Sequence, residues 1–132
     1  MYRLLFLFLI FLITCKPAVK KGIEDPSWQE ESLKISSELC SIFVKCSEAT
    51  LQKIPDYMAK QAGEEISPNN CIEKNKKSNV YNLKVSDPES IKTAYRECAS
   101  FIKTLSCNDV TSGMIQQNNF CKVVSLAQMN KN

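Results

Sequence analysis

The residues of this 132-residue chain best able to do chemistry are its seven cysteines, Cys15, Cys40, Cys46, Cys71, Cys98, Cys107 and Cys121. There is no histidine, which removes Ser-His-Asp and Cys-His nucleophile systems, His-ligated zinc and haem, and imidazole bases. No two cysteines stand in a CxxC, the spacing that a tight cysteine-only zinc site or a thioredoxin-like redox centre would use. The carboxylates of Glu30-Glu31, Glu64-Glu65 and Glu97 are the remaining candidates for acid–base work. Neighbours on a helix point about 100° apart, so each adjacent pair is better suited to solvating a surface than to flanking a substrate. Asp56 and Tyr57, between Pro55 and Gly63, read as a turn rather than the wall of a cleft. There is no GxGxxG, P-loop, GxSxG or HExxH. The chain therefore reads as non-catalytic, with no cofactor and no metal site.

Charge narrows the partners. Lys plus Arg is 17 against 14 for Asp plus Glu, a formal +3, too even a balance for the clustered basic footprint that nucleic acid requires. The length suits one small domain.

The elements that must position the cysteines begin with an address. Met1-Tyr2-Arg3 is followed by ten uninterrupted apolar residues, Leu4 to Ile13, half of the roughly 20 needed to span a bilayer. A charged start and a short apolar core describe an export signal. The core ends in Leu12-Ile13-Thr14-Cys15, which resembles the lipobox of bacterial lipoproteins. The resemblance implies cleavage before Cys15, diacylation of its sulfur and acylation of the new amino group. Thr14 departs from the Gly, Ala or Ser usual before the cysteine in enteric bacteria; spirochaete lipoproteins carry looser versions. Two or three acyl chains hold a protein on a bilayer persistently where one does not. The following residues, KPAVKKGIED, read as a tether with an end-to-end distance of roughly 15–20 Å. The expected organisation is a signal peptide over 1–14, a lipid-anchored tether over 15–26 and a helical cysteine-rich domain over 27–132.

With Cys15 acylated, six cysteines remain, an even number that reads as three structural disulfides in an exported domain. The domain reads as all-α, a small bundle of three to five helices. Asp25-Pro26 opens the first, with Trp28, Ile35, Leu39, Ile42, Phe43, Cys46 and Ala49 on its buried face and Pro55 beyond its end. Asp56 to Ala62 adds a turn or two before Gly63, and Ser67-Pro68 starts a short helix carrying Cys71. Asp87-Pro88 is the clearest helix start, placing Ile91, Tyr95, Cys98, Ile102 and Leu105 on one stripe. Asn118-Asn119 caps a last helix. Val80 to Val85 alternates weakly and is the one plausible strand, too little for a sheet.

Six cysteines allow fifteen pairings. Cys40 and Cys46 are about 9 Å apart along one helix, beyond disulfide reach, so each bonds elsewhere. If the first helix and the helix after Asp87 run antiparallel, Cys46 meets Cys98, Cys40 meets Cys107, and Cys71 takes Cys121.

Leu12 to Cys15, together with cysteines on helical stripes such as Cys40-Ser-Ile-Phe-Val-Lys-Cys46 and Tyr95-Arg-Glu-Cys98, resembles the small cysteine-containing helical lipoproteins of spirochaetes, of the Leptospira type. The resemblance implies a bacterial cell envelope location at the outer membrane, with the membrane as a partner through the acyl chains, and no known activity. The expected function is to present the domain to a protein or matrix partner. The alternatives are a periplasm-facing accessory subunit, an enzyme inhibitor, or a carrier of a small apolar ligand.

Overall fold

The computed structural model describes residues 22–129. The signal peptide, Cys15 and the tether up to residue 21 lie outside the described residues. Helix α1 (Pro26–Leu51) starts where Pro26 occupies the first helical position and the Asp25 carboxylate accepts from the Trp28 amide at 3.0 Å, satisfying one of the amides that a helix start leaves open. After Pro55 the chain re-enters helix as α2 (Asp56–Glu65), which runs through Gly63 instead of stopping at Ala62. Ser67 caps α3 (Pro68–Lys76) and Asp87 caps α4 (Pro88–Thr104), each with a proline in the first turn. Among the described residues there are six α-helices, one 3-10 helix and no strand. The fifth is the shortest. Ser106 and Asp109 form a reciprocal capping box there and wind α5 (Cys107–Thr111). Gly113, at φ +88°, then turns the chain into the 3-10 helix Met114–Gln117, a left-handed conformation that glycine adopts without a Cβ penalty. The Asn118 side chain accepts from the amides of Phe120 and Cys121 and opens α6 (Asn119–Met129).

Helix directions follow from which residues meet. Asp25 pairs with Lys92, Glu31 with Arg96 and Glu38 with Lys103. Both numbers rise together, so α1 and α4 run in the same direction. Helix α3 descends along α1, and α6 descends along α4. The expected antiparallel arrangement of α1 and α4 is therefore corrected, and the expected bonds fall with it. Cys40 bonds Cys71, not Cys107; Cys46 bonds Cys107, not Cys98; and Cys98 bonds Cys121, not Cys71. The physical reason is α3, which with the loop after it returns the chain from Cys40 to Trp28 at the start of α1 before α4 begins. Cys40 and Cys46 do bond elsewhere, as helix geometry requires.

The core has two parts. One joins Trp28, Val80, Leu83, Ile91 and Tyr95; the other joins Leu39, Cys98, Ala99, Ile102 and Cys121. Val80 and Leu83 belong to the segment expected to be a strand. It is instead a set of turns, with the amides of Asn82, Leu83 and Lys84 bonded to the carbonyls of Ser78, Val80 and Asn79. Residues three apart on such a turn share a side, so Val80 and Leu83 both point inward, where strand alternation would have split them. Leu83 takes a positive φ of 47° to do so, a conformation that costs a non-glycine residue about 1 kcal/mol or more. The α1 face also differs. Ser32 and Ser36 are buried beside Trp28, Leu39, Cys40 and Cys46, whereas Ala49 is exposed. Ser36 earns its place through the 2.7 Å hydrogen bond between its hydroxyl and that of Tyr95.

Candidate functional site

The carboxylates singled out in the sequence do not converge. Glu31 makes a two-pronged pair with Arg96 at 2.6 and 2.7 Å, joining α1 to α4. Glu65 holds Lys74 at 2.6 Å near the other end of the domain. Glu30, Glu64 and Glu97 are exposed. Arg96 holds the Glu31 carboxyl below the usual carboxylate range, which suits a permanent anion in an ion pair and not a proton donor near neutral pH. Asp56 and Tyr57 are exposed on the first turn of α2, with Tyr57 74% accessible. No group of three or more Cys, Asp or Glu among the described residues is placed to hold a metal ion.

The densest polar and aromatic cluster surrounds Trp28, which is only 1% exposed. Its indole N–H donates to the Val80 carbonyl at 2.9 Å, binding α1 to the loop before α4. The Tyr95 ring meets it edge-on at 5.7 Å, and the Arg96 guanidinium lies 5.6 Å from its ring centre. Burial pushes the Tyr95 hydroxyl up from its ordinary value, against the opposing hydrogen bond from Ser36. Above the cluster, Lys92 bridges Asp25 at 2.7 Å and Glu89 at 2.6 Å. The Lys92 bond, helped by the Trp28 amide and the Ser27 hydroxyl, holds the Asp25 carboxyl far below the usual range. Every group here is bonded to another part of the fold. The cluster is a clasp that ties α1 to α4 and to the loop before α4.

What remains for function is the surface, and two apolar regions stand out. On α6, Phe120, Val123, Leu126 and Met129 are 45, 44, 58 and 64% exposed. Spaced three apart, each is turned about 60° from the last, so the four wind across half of the helix surface from Phe120 to Met129, while Cys121, Val124 and Ala127 pack inward. The sequence shows all four side chains, yet its periodicity does not say that both faces of this helix are apolar with only one covered. On α2, Tyr57 and Met58 are exposed just beyond the end of α1. An open-sided hollow of about 560 Å³ lies between Gly22, Glu24, Gln29, Asn82 and Lys84, where the described chain begins. Another, of about 400 Å³, runs beside α6 from Ile115 to Leu126 and Met129. No described helix is long and apolar enough to cross a membrane. Helical content and three disulfides are the features that the chain's relationships leave to stand alone: no protein-family model, no curated protein and no solved structure matches it.

Proposed function

We propose that this protein is a non-catalytic envelope lipoprotein, anchored through acyl chains on Cys15, that presents a disulfide-stapled helical domain to another protein. The observation that carries the reading is the division of the molecule along α1. Gly22, from which the chain leads back to Cys15, lies against the loop that receives the Trp28 indole N–H, at the start of α1. The other end of this 26-residue helix is about 39 Å away along its axis, and Tyr57 and Met58 are exposed in the first turn of α2, which begins five residues after it. An exposed aromatic and a methionine at the end remote from the anchor form an apolar contact surface of the kind protein interfaces favour. The α1 rod, bonded through Cys40 and Cys46 to two other helices, holds that surface at a fixed distance from the bilayer. Side chains that would perform acid–base chemistry are engaged in ion pairs or scattered, which favours presentation over turnover.

Two measurements test it. Growth with a labelled fatty acid should mark the wild type and leave Cys15→Ser unlabelled; equal labelling of both sinks the anchor. Crosslinking on intact cells should then yield a protein adduct that Tyr57→Ser with Met58→Ser reduces at least tenfold without loss of helicity. Substrate turnover abolished by a single Glu or Asp substitution, with the fold intact, would overturn the non-catalytic reading.

A further inference from the structure

The exposed apolar residues of α6 divide between its two halves. Its C-terminal half lies at the same end of the domain as the anchor. The Asn79 side-chain amide donates to the Ala127 carbonyl at 3.0 Å, fixing the end of α6 to the loop before α4. Asn82, three residues on in that loop, carries the carbonyl against which Gly22 lies; three residues span at most about 11 Å. The approach is so close that a Cβ on Gly22 would sit 2.2 Å from the Asn82 oxygen, so the start of the described chain is seated on the loop. Cys15 stands seven positions before Gly22, a reach of at most about 25 Å whatever the conformation between them.

The two halves of the α6 side differ in their neighbours. Phe120 and Val123 border Asp87 and Glu89 at the start of α4. Leu126 and Met129 share their hollow with Ile115, Gln116, Ser125 and Lys122, with no carboxylate among them. Helix α6 itself carries no acidic residue and one cation, Lys122. Lys122, Leu126 and Met129, at i, i+4 and i+7, share one side of the helix, and an apolar pair with a lysine one turn above it suits the boundary between acyl chains and headgroups.

We infer that the C-terminal half of α6 rests in the surface of the membrane to which Cys15 is anchored, with Leu126 and Met129 entering the acyl region. The inference rests on the lipoprotein reading and adds an orientation to it. A second, shallow contact beside the anchor turns a domain swinging on a tether into one held upright, with α2 pointing away from the bilayer.

The test uses full-length lipidated protein, purified from producing cells and reconstituted into vesicles of phosphatidylcholine, with or without bromine on the acyl chains. Leu126→Trp and Met129→Trp are tolerated at positions 58 and 64% exposed, and each reports contact with brominated chains through fluorescence quenching. Trp28 supplies the wild-type background, and Tyr57→Trp reports the remote end. The expected result is at least twofold quenching of the added signal at 126 and 129, and none at 57. Protein that floats with the vesicles and carries fatty acid on Cys15, but shows no quenching at 126 or 129, overturns the membrane contact and leaves the anchor standing. Equal quenching at all three positions overturns the orientation. A concentration-dependent dimer crosslinked through α6, with no quenching, assigns that face to a second copy instead. Protein that neither floats nor carries fatty acid fails at the anchor, and the inference fails with it.

Discussion

Replacing Trp28 with phenylalanine tests whether the clasp between α1, α4 and the 78–84 loop holds the fold together. The indole N–H is the donor to the Val80 carbonyl at 2.9 Å, and Val80 is completely buried. Phenylalanine has no donor, so that carbonyl is left in the core without this partner, at a cost of about 1–3 kcal/mol. The smaller ring leaves a void worth about 1 kcal/mol more. The edge-on contact with Tyr95 survives in part, and the Arg96 contact, at an exposed guanidinium, contributes below about 1 kcal/mol. Together the loss is about 3 kcal/mol. For a domain of this size that lowers the melting temperature by roughly 10–20 °C. Urea unfolding of the disulfide-intact protein, followed by far-ultraviolet circular dichroism, measures it, because helix loss is the signal and does not depend on the indole. Arg96→Met keeps the aliphatic stem and removes the cation, and should cost less than about 1 kcal/mol. A Trp28→Phe loss below 1 kcal/mol, or an Arg96→Met loss equal to it, would refute the assignment of the indole hydrogen bond as the dominant tie.

Four other outcomes follow from the same structure. Cys46 and Cys107 close the widest loop, 61 residues apart, so replacing both with alanine should lower stability by about 4 kcal/mol in thermal or urea unfolding. Because Cys107 is exposed while Cys98 and Cys121 are buried, mild reduction followed by alkylation and mass spectrometry should label Cys46 and Cys107 before Cys98 and Cys121. In acid, the lowered Asp25, Glu31 and Glu38 carboxyls make the unfolded chain take up protons first. Their contribution is full above about pH 5 and is lost as pH falls through and below 4; Asp25→Asn, which still caps α1, should flatten that decline in melting temperature. Gly22→Val forces a side chain onto the Asn82 carbonyl, so residues 22–25 should gain protease sensitivity, while the melting temperature changes by only a few degrees.

Much of the local structure was written in short-range chemistry. Asp25-Pro26, Ser67-Pro68 and Asp87-Pro88 each start a helix, because a side-chain acceptor satisfies an open amide and the following proline needs none. The α4 stripe of Ile91, Tyr95, Cys98 and Ile102 is buried as its spacing implies. The buried serines of α1 were not legible, since Ser36 becomes a core residue only when the Tyr95 hydroxyl arrives to bond it. The uncovered side of α6 was not foreseen, because sequence periodicity reports that a face is apolar and not whether another element covers it.

The sequence by itself determined the all-α class, the positions of the main helices, and six cysteines available for bonding within the domain once Cys15 is set aside. It did so because caps, prolines and helical spacing act over three or four residues, within reach of a local reading. Tertiary structure decided that α1 and α4 run in the same direction, which cysteines bond, and that Val80 and Leu83 fill the core from a loop. Those outcomes depend on how many times the chain reverses between α1 and α4. Helix α3, nine residues long and bonded through Cys71 to Cys40, is the extra reversal. Its own sequence specifies a helix and its cap, but the direction in which it packs is chosen by the core it closes.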